Sequence, residues 1–382
     1  MHREKSAYEI LYCKEGLECT LSVLRNKGTG GLELNINGQS TAYTSYRDIQ
    51  VHKMLAHVPM LIHPDPKEVL VVGFGLGCTN YEATLYENAR VTCVELVKDE
   101  LEVAKYFNDY NKGVLSNPKF RFVHDDGRIH IQLVDKKYDV ISFNAIHPRL
   151  SPGLYTQEFY QMCRNRLGPD GVICAWLPTN WITTEEFRSL VATFISVFPD
   201  STYWLCNPDH VLLVGGLKRL EIDFDNLKRR MAQPEIREHL QATNLGDPLS
   251  LIGTLILGPA GLRAYAGDAR VVTDDRSDAE FSRCLDYGLN DAVWPPILAV
   301  RQDHFSELMG MIRTSNPADR RAIYSNLRSL PPSLNAQILS DFKYNMHEEA
   351  LREYDKALRL APQNLNIVYW KLQSEILNGL QR

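Results

Sequence analysis

The sequence predicts an α/β protein with a Rossmann-like sheet of parallel strands, a small N-terminal β domain and a helical C-terminal extension. Runs that are apolar at every residue suit strands buried on both faces, and their alternation with helical segments indicates a parallel sheet. Five such runs follow Lys67, at 68–74, 90–96, 120–126, 138–143 and 171–177.

Two further apolar runs close this pattern. They cover 201–206 and 210–216 and are separated only by "NPD". Because so short a connection permits a hairpin but no crossover helix, we expect the last strand to be antiparallel. Parallel strands closed by such a hairpin are typical of the class I methyltransferase sheet, found in adenosylmethionine-dependent transferases, rather than of dehydrogenases.

The pattern changes at both ends of the predicted sheet. Residues 8–45 alternate apolar and polar positions between Gly-rich turns, which indicates short antiparallel strands, and a helical stretch follows at 48–62. Beyond Leu217 the sequence predicts helices. The expected organisation is a β-hairpin domain (1–50), a Rossmann-like nucleoside-binding domain (51–217), a helical lid or extension (218–290) and a helical, tetratricopeptide-like segment (291–382).

One stretch near the end of the chain, 342–364, has the spacing of a tetratricopeptide repeat. Ala350 and Ala357 lie seven residues apart with Tyr354 between them, and Pro362 follows. Small residues at this spacing let two antiparallel helices approach closely. One copy cannot form a solenoid, so the segment either caps the preceding helices or offers a surface to a protein partner.

Composition excludes several classes of function. The 382 residues include 42 Lys and Arg against 47 Asp and Glu, giving a net charge of −5, and the basic clusters are interleaved with acids, which argues against nucleic acid as the main partner. The longest apolar stretch, 248–262, is broken by glycine and proline and is shorter than the roughly 20 residues of a spanning helix, so we expect no membrane span.

The N-terminus and the cysteines predict a cytoplasmic location. "MHREKSAYEILYCKEG" carries charges where a signal peptide would need its apolar core. The eight cysteines are scattered without a CxxC pair, which is typical of reduced, buried thiols.

The stretch "VVGFGLGCTN" places Gly73, Gly75 and Gly77 at a strand-to-helix turn, where the backbone must turn tightly and let a ligand approach. Glu95 ends the next strand, 18 residues after Gly77, where a carboxylate can accept both hydroxyls of a ribose. No P-loop lysine follows Gly77. The combination predicts a site for an adenosine-type nucleotide that is not a triphosphate.

The third predicted strand ends in "HDDGR". A carboxylate from Asp125 or Asp126 could accept from the amino group of adenine, although the two residues alone fit an Asp-Gly turn about as well. No metal site is expected, because His124 and the two aspartates are adjacent along a strand and point to opposite faces.

Taken in order, these motifs resemble the spermidine synthase, or polyamine aminopropyltransferase, family over about residues 6–215. The resemblance is closest to a divergent branch often fused to membrane transporter-like segments, and it extends through 262–282. The motifs that carry it are "SAYEI", "INGQSTAYTSYRDIQVHKMLAH", "VLVVGFGLG", "VTCVEL", "VHDDGR", "YDVIS" and "LYTQEFYQMCRNRLGPDGV".

The resemblance implies a site for decarboxylated S-adenosylmethionine, with methylthioadenosine as product. It implies that the three loop glycines line this ligand, that Glu95 binds the ribose and that Asp126, beside Asp125, binds the adenine. It places His52 near the transferred group and Tyr155 near the acceptor entrance. It further implies a homodimer formed through the N-terminal β domain.

The chain departs from the family where the family keeps acidic residues. Leu76 stands where an aspartate would hold the ammonium of the aminopropyl chain, and Asn144 and His147 replace two aspartates after the fourth strand. Val51 and Lys53 replace a tyrosine and a glutamate beside His52. An amide can orient an amine but cannot take its proton, whereas an imidazole can. His147 is also compatible with a plain loop histidine that caps a turn or faces solvent.

Two hypotheses follow. The chain is a transferase that binds S-adenosylmethionine or its decarboxylated form and moves a methyl or aminopropyl group to an amine-type acceptor, with Asn144 and His147 in the catalytic positions beside Tyr155. Leu76 permits either donor, because an aspartate there would repel the carboxylate of the intact form. Alternatively, the chain is a pseudo-enzyme that keeps the nucleoside pocket and engages a partner through its C-terminal helices. A nicotinamide dehydrogenase fits the predicted antiparallel hairpin poorly.

Overall fold

The computed structural model describes residues 7–143, 146–276, 284, 288–341 and 343–381. The chain divides into two compact units, and each is described by itself below. The first unit comprises Met1–Leu154 and Gln161–Ala175, and the second comprises Tyr155–Tyr160 and Trp176–Arg382. The boundaries of the four predicted domains stay predictions.

The first unit opens with an antiparallel sheet of four strands, β1 (Tyr8–Glu15), β2 (Thr20–Asn26), β3 (Leu32–Ile36) and β4 (Gln39–Tyr43), each paired with the next. Alternate side chains of β2 are buried because successive residues of a strand face opposite sides. Leu21 and Val23 therefore join Leu34 in a hydrophobic core. This is the predicted small N-terminal β domain.

Helix α1 (Tyr46–Ile62) connects this sheet to a second, parallel sheet. The strands of the parallel sheet lie in the order β9, β8, β5, β6, β7, all pointing the same way. Strand β9 begins in the first unit and ends in the second. These strands are β5 (Glu68–Val72), β6 (Arg90–Glu95), β7 (Phe120–His124), β8 (Tyr138–Phe143) and β9 (Leu167–Pro178).

Short helices connect the parallel strands. They are α2 (Cys78–Thr84), α3 (Glu100–Val103), α4 (Asn108–Asn111), α5 (Gly127–Leu133) and α6 (Gln157–Arg166), with 3-10 turns at Ala104–Phe107, Val114–Ser116 and Pro152–Leu154. The order β5-α2-β6 and its repeats are those of a doubly wound α/β fold. The predicted alternation of strands and helices is confirmed.

The second unit contains the predicted hairpin. Strands β10 (Thr202–Asn207) and β11 (His210–Gly216) pair antiparallel, with Thr202 opposite Val214. The sequence predicted only helices beyond Leu217, but three short strands lie there. They are β12 (Ile222–Asp223), β13 (Leu255–Leu257) and β14 (Ile312–Arg313), of which β13 pairs with β10 and β12 with β14.

Helices make up the rest of the second unit, which confirms the predicted helical C-terminal region. They are α7 (Thr184–Val197), α8 (Phe224–Met231), α9 (Pro234–Gln241), α10 (Pro248–Ile252), α11 (Pro259–Ala266), α12 (Trp294–Asp303), α13 (Phe305–Met311), α14 (Pro317–Leu339), α15 (His347–Leu360) and α16 (Leu365–Gln381), with a 3-10 turn at Asp291–Val293.

The last three helices stack in sequence, since α15 packs against both α14 and α16. Ala350, Tyr354 and Ala357 of α15 are fully buried, as the repeat spacing predicts. In the described part of the chain, no helix is long and apolar enough to cross a membrane.

Candidate functional site: the glycine loop and its carboxylates

The loop between β5 and α2 has a backbone conformation that requires glycine at three positions. Gly73, Gly75 and Gly77 all have positive φ, at 96°, 53° and 76°. A Cβ on Gly77 would lie 2.8 Å from Cζ of Phe74 and 3.0 Å from Cβ of Asn111. Glycine is therefore needed here both for conformation and for packing.

Glu95 ends β6 directly beside this loop, because Val72 and Val94 are neighbours in the parallel register. The Phe74 N–H donates to Oε2 of Glu95 at 2.8 Å, and the Val97 N–H donates to Oε1 at 2.7 Å. Burial raises the pKa of Glu95, and these backbone hydrogen bonds oppose the rise. A carboxylate offers about four lone-pair positions, so the group can still accept from a further donor.

A second carboxyl group of the site was missed by the sequence analysis. Glu100, the first residue of α3, is only 2% exposed, and its Oε2 accepts the Gly75 N–H at 2.8 Å. Burial first, and then the charge of Glu95, raise the pKa of Glu100 well above its ordinary value. Its position in "VKDELEV" resembles an exposed helix start, so nothing in the sequence marks it.

The two aspartates after β7 have different contacts. Asp126 is the N-cap of α5, and its Oδ1 accepts from the N–H groups of Arg128 (2.8 Å) and Ile129 (2.9 Å). Asp125 accepts from the Asp126 N–H at 2.9 Å and lies 3.5 Å from Nδ1 of His130. The local Asp-Gly turn is thus present, and the predicted contact with adenine stays a prediction.

His52 and Leu76 flank the loop in different ways. His52, on α1, is buried, and its carbonyl accepts the hydroxyl of Thr79 in α2 at 3.0 Å. Leu76 is completely buried in the hydrophobic core that also contains Leu34 and Phe107. Leu76 therefore packs with the N-terminal sheet. Its predicted contact with the donor stays a prediction.

A chain of buried polar side chains joins α1 to α2. Lys53 and Glu82 form an ion pair at 3.4 Å, and the second oxygen of Glu82 lies 2.9 Å from Nε2 of His57. Nδ1 of His57 is 3.0 Å from the hydroxyl of Tyr86. Because α2 follows Gly77, this network fixes the helix that leaves the glycine loop.

The predicted catalytic residues are spread along the chain. Asn144 lies outside the described residues. The ring of His147 accepts the Arg149 N–H at 3.2 Å through Nδ1, and its carbonyl accepts the Leu150 N–H at 2.8 Å. Tyr155 belongs to the second unit, where it is buried, and burial raises the pKa of its hydroxyl. The described residues contain no group of three or more metal-ligating side chains.

Part of the chain is similar in sequence to known proteins. A family model, described as the spermine/spermidine synthase domain, matches residues 48–217. The chain is 31% identical over 153 residues to polyamine aminopropyltransferase 1 of Pseudomonas aeruginosa, covering 39% of this chain and 53% of that protein. It is 32% identical over 168 residues to the polyamine aminopropyltransferase of Bacillus subtilis, covering 43% of this chain and 60% of that protein.

A solved structure supports the fold. The crystal structure of spermidine synthase from Thermotoga maritima matches with a TM-score of 0.50 and 20% identity, covering 75% of this chain and 87% of that one. The matched part of this chain spans between about half and three fifths of the length of the two aminopropyltransferases. Residues 48–217, which include the glycine loop and Glu95, are similar to the spermine/spermidine synthase domain.

Proposed function

We propose that the chain is a spermidine synthase-like transferase that binds decarboxylated S-adenosylmethionine or S-adenosylmethionine and transfers an aminopropyl or methyl group to an amine-type acceptor. The observation that carries the proposal is the fixed carboxylate of Glu95 beside three glycines of positive φ. Two relatives named polyamine aminopropyltransferase favour the aminopropyl group and methylthioadenosine as the product.

The residues of the chain supply binding and proton transfer in this proposal. The bound donor supplies a sulfonium, whose adjacent carbon is attacked by the amine while the C–S electron pair leaves on sulfur. Glu95 accepts a hydrogen bond from the ribose, and the glycine loop lets the ligand approach the backbone. The attacking amine must lose a proton, and the imidazole of His147 can take it near neutral pH, whereas the amide of Asn144 can only orient the amine.

The donor's tail meets no acid at position 76. Leu76 is packed in an apolar core, so this position neither attracts an ammonium nor repels a carboxylate. The intact and the decarboxylated donor are therefore both compatible with the loop. A homodimer and a protein partner for α14–α16 belong to the same proposal, and sedimentation of the full chain at micromolar concentration tests the dimer.

Glu95→Gln tests the nucleoside site. We expect methylthioadenosine to bind about 10- to 100-fold more weakly, because hydrogen bonds to a charged group contribute roughly 1.5–3 kcal/mol. Calorimetry measures the affinity, and Glu102→Gln is the matched control. Glu102 is an exposed carboxylate of the same segment that pairs with Lys14. Equal affinity of Glu95→Gln and the unchanged protein, or no binding of any of the three nucleosides to folded protein, would contradict the proposal.

A pseudo-enzyme is the second candidate, and a specific observation favours it. Nδ1 of His147 is used within its own turn, and Leu76 lies in the core, so neither position supplies the acid that the family places there. Mass spectrometry of products with both donors and a panel of amines separates the candidates. Stoichiometric transfer that Glu95→Ala abolishes excludes the pseudo-enzyme, and nucleoside binding without transfer supports it.

A further inference from the structure

Glu100 lies beneath the glycine loop in an unusual position for an acid. Its side chain is almost fully buried, and its Oε2 accepts the Gly75 N–H at 2.8 Å. Its carboxyl group also lies within hydrogen-bonding reach of the carboxyl group of Glu95. Two acids and three backbone N–H groups, those of Phe74, Gly75 and Val97, therefore form one cluster at the proposed ribose site.

Among the described residues, Glu100 has no cationic partner. In the described part of the chain, no lysine, arginine or histidine forms an ion pair with it. Lys14 is engaged by Asp99 at 2.8 Å and by Glu102 at 2.7 Å. His124 at the end of β7 acts on Glu95 through its charge. The thiols of Cys93 in β6 and of Cys19 between β1 and β2 respond to both carboxyl groups, and Glu18 and Asp99 also act on Cys19.

Two carboxylates in contact cannot both remain ionised in a buried site, because their repulsion adds to the cost of removing each from water. One proton shared between them removes both costs, since the protonated acid then donates to the carboxylate. Burial raises the pKa of Glu100 first, and the charge of Glu95 raises it further, which favours Glu100 as the site of the proton.

We propose that Glu100 is a positioning residue that keeps its proton at neutral pH and donates it to Glu95, so that the nucleoside meets one fixed negative charge. The proposal rests on the proposed function, because it assigns to Glu95 the role of ribose acceptor. In this arrangement Glu100 connects the glycine loop, through Gly75, to the carboxylate that binds the ribose. Neither the family's motifs nor the sequence pattern marks this residue.

Glutamine is the diagnostic replacement, because its amide matches the protonated acid. Its oxygen can accept the Gly75 N–H and its NH₂ can donate to Glu95, and it does not titrate. Leucine has a similar volume but can do neither. His124, Cys19 and Cys93 are present in both variants, so a difference in pH dependence between the unchanged protein and Glu100→Gln reports the titration of the Glu95–Glu100 pair.

The first measurement is thermal unfolding of the full chain without ligand from pH 5 to pH 8. A folded-state pKa raised above the unfolded value of 4.5 means that stability is fully present below 4.5 and is lost as the pH rises toward the folded pKa. Relative to the unchanged protein, Glu100→Gln should therefore gain at least about 3 °C in Tm across this range. Parallel Tm curves would show that Glu100 is ionised in the folded protein and would overturn the proposal.

The second measurement is the affinity for methylthioadenosine by calorimetry at pH 7. We expect Glu100→Gln to bind within about threefold of the unchanged protein and Glu100→Leu, confirmed folded, to bind at least about tenfold more weakly. Equal affinity of the Leu and Gln variants would overturn the positioning role. If the unchanged protein binds no nucleoside, the proposed function fails, while the Tm curves still decide where the proton lies.

Discussion

The two units bury charge-bearing side chains in opposite ways. In the first unit, the Glu100 carboxyl has Glu95 as its neighbour and no cation bonded to it among the described residues, so in the proposed arrangement a proton removes its charge. In the second unit, the Arg301 side chain is 2% exposed and donates to the backbone carbonyls of Leu255, Ile256 and Leu327. Burial lowers the pKa of Arg301 to about 9, which leaves it charged at neutral pH.

One of the carbonyls that accept from Arg301 lacks its usual helical donor. Helix α14 contains Pro331, which has no N–H to donate to the carbonyl of Leu327 four residues earlier. Nη2 of Arg301 donates to that carbonyl at 2.6 Å. A buried carboxyl can thus be neutralised by a proton from water, whereas a buried guanidinium needs hydrogen-bond acceptors. Strand β13 supplies two of the carbonyls that accept from Arg301, and Pro331 leaves the third, that of Leu327, without a helical donor.

Leu76→Asp extends the comparison to a buried charge that has neither a second carboxyl group to share a proton nor backbone groups to bind it. Because Leu76 lies in an apolar core, we expect a loss of roughly 3–5 kcal/mol in the free energy of unfolding at pH 7. The loss should shrink at pH 4, where the aspartate is protonated more easily. Urea titration at both pH values measures it, with Leu76→Met as the volume-conserving control. A stable Leu76→Asp protein would mean that this side chain reaches solvent or a cation.

Arg301→Met removes the guanidinium while keeping an apolar stem. The carbonyls of Leu255, Ile256 and Leu327 lose their donor, and we expect about 3 kcal/mol of destabilisation, since each orphaned buried acceptor is costly. Urea unfolding measures it. Arg328→Met is the control, because that arginine is exposed and lies over the same Phe305 ring, at 5.8 Å. A loss below about 1 kcal/mol would mean that water replaces the guanidinium.

Pro331→Ala tests whether the proline creates the need for Arg301. An alanine at 331 has an N–H that can bond the Leu327 carbonyl, so Arg301→Met should cost about 1 kcal/mol less in this background. A double-mutant cycle of unfolding free energies gives this coupling. Strict additivity would contradict the link between the two residues.

Asp126 is a third kind of charged group, one held by backbone N–H groups at the surface of the site. Asp126→Ala should lose about 1 kcal/mol of stability through the lost cap of α5, whereas Asp126→Asn should lose only a few tenths. The affinities of the two variants for methylthioadenosine then distinguish the role of Asp126 as a helix cap from its predicted contact with adenine. If both variants bind methylthioadenosine equally to the unchanged protein, Asp126 is a cap alone.

Much of the fold could be predicted because its signals are local and repeated. Apolar runs such as 138–143 became buried parallel strands, and the three-residue "NPD" connection produced the antiparallel hairpin. Strand β13 was not predicted, because three apolar residues carry no period and its pairing with Tyr203 and Trp204 depends on tertiary structure. Gly73 and Phe74 were predicted as strand but leave β5 to form the loop.

The residues of the candidate site could be predicted only where the backbone conformation or the ligand requires a particular residue type. The loop glycines and Glu95 met that condition. Glu100 did not, because its burial depends on how α3 folds back onto the glycine loop. The direction of the Leu76 side chain was equally hidden, since it lies between two residues of positive φ, Gly75 and Gly77.

The packing of Gly77 has an evolutionary consequence. Any side chain there would collide with Phe74 and Asn111 of the same unit, whether or not a nucleoside is bound. Mutational drift after a loss of catalysis would therefore leave this glycine in place, because its replacement would first harm folding. The glycine at this position accordingly reflects how the loop folds, and the acids around it are the positions where a change of chemistry becomes visible.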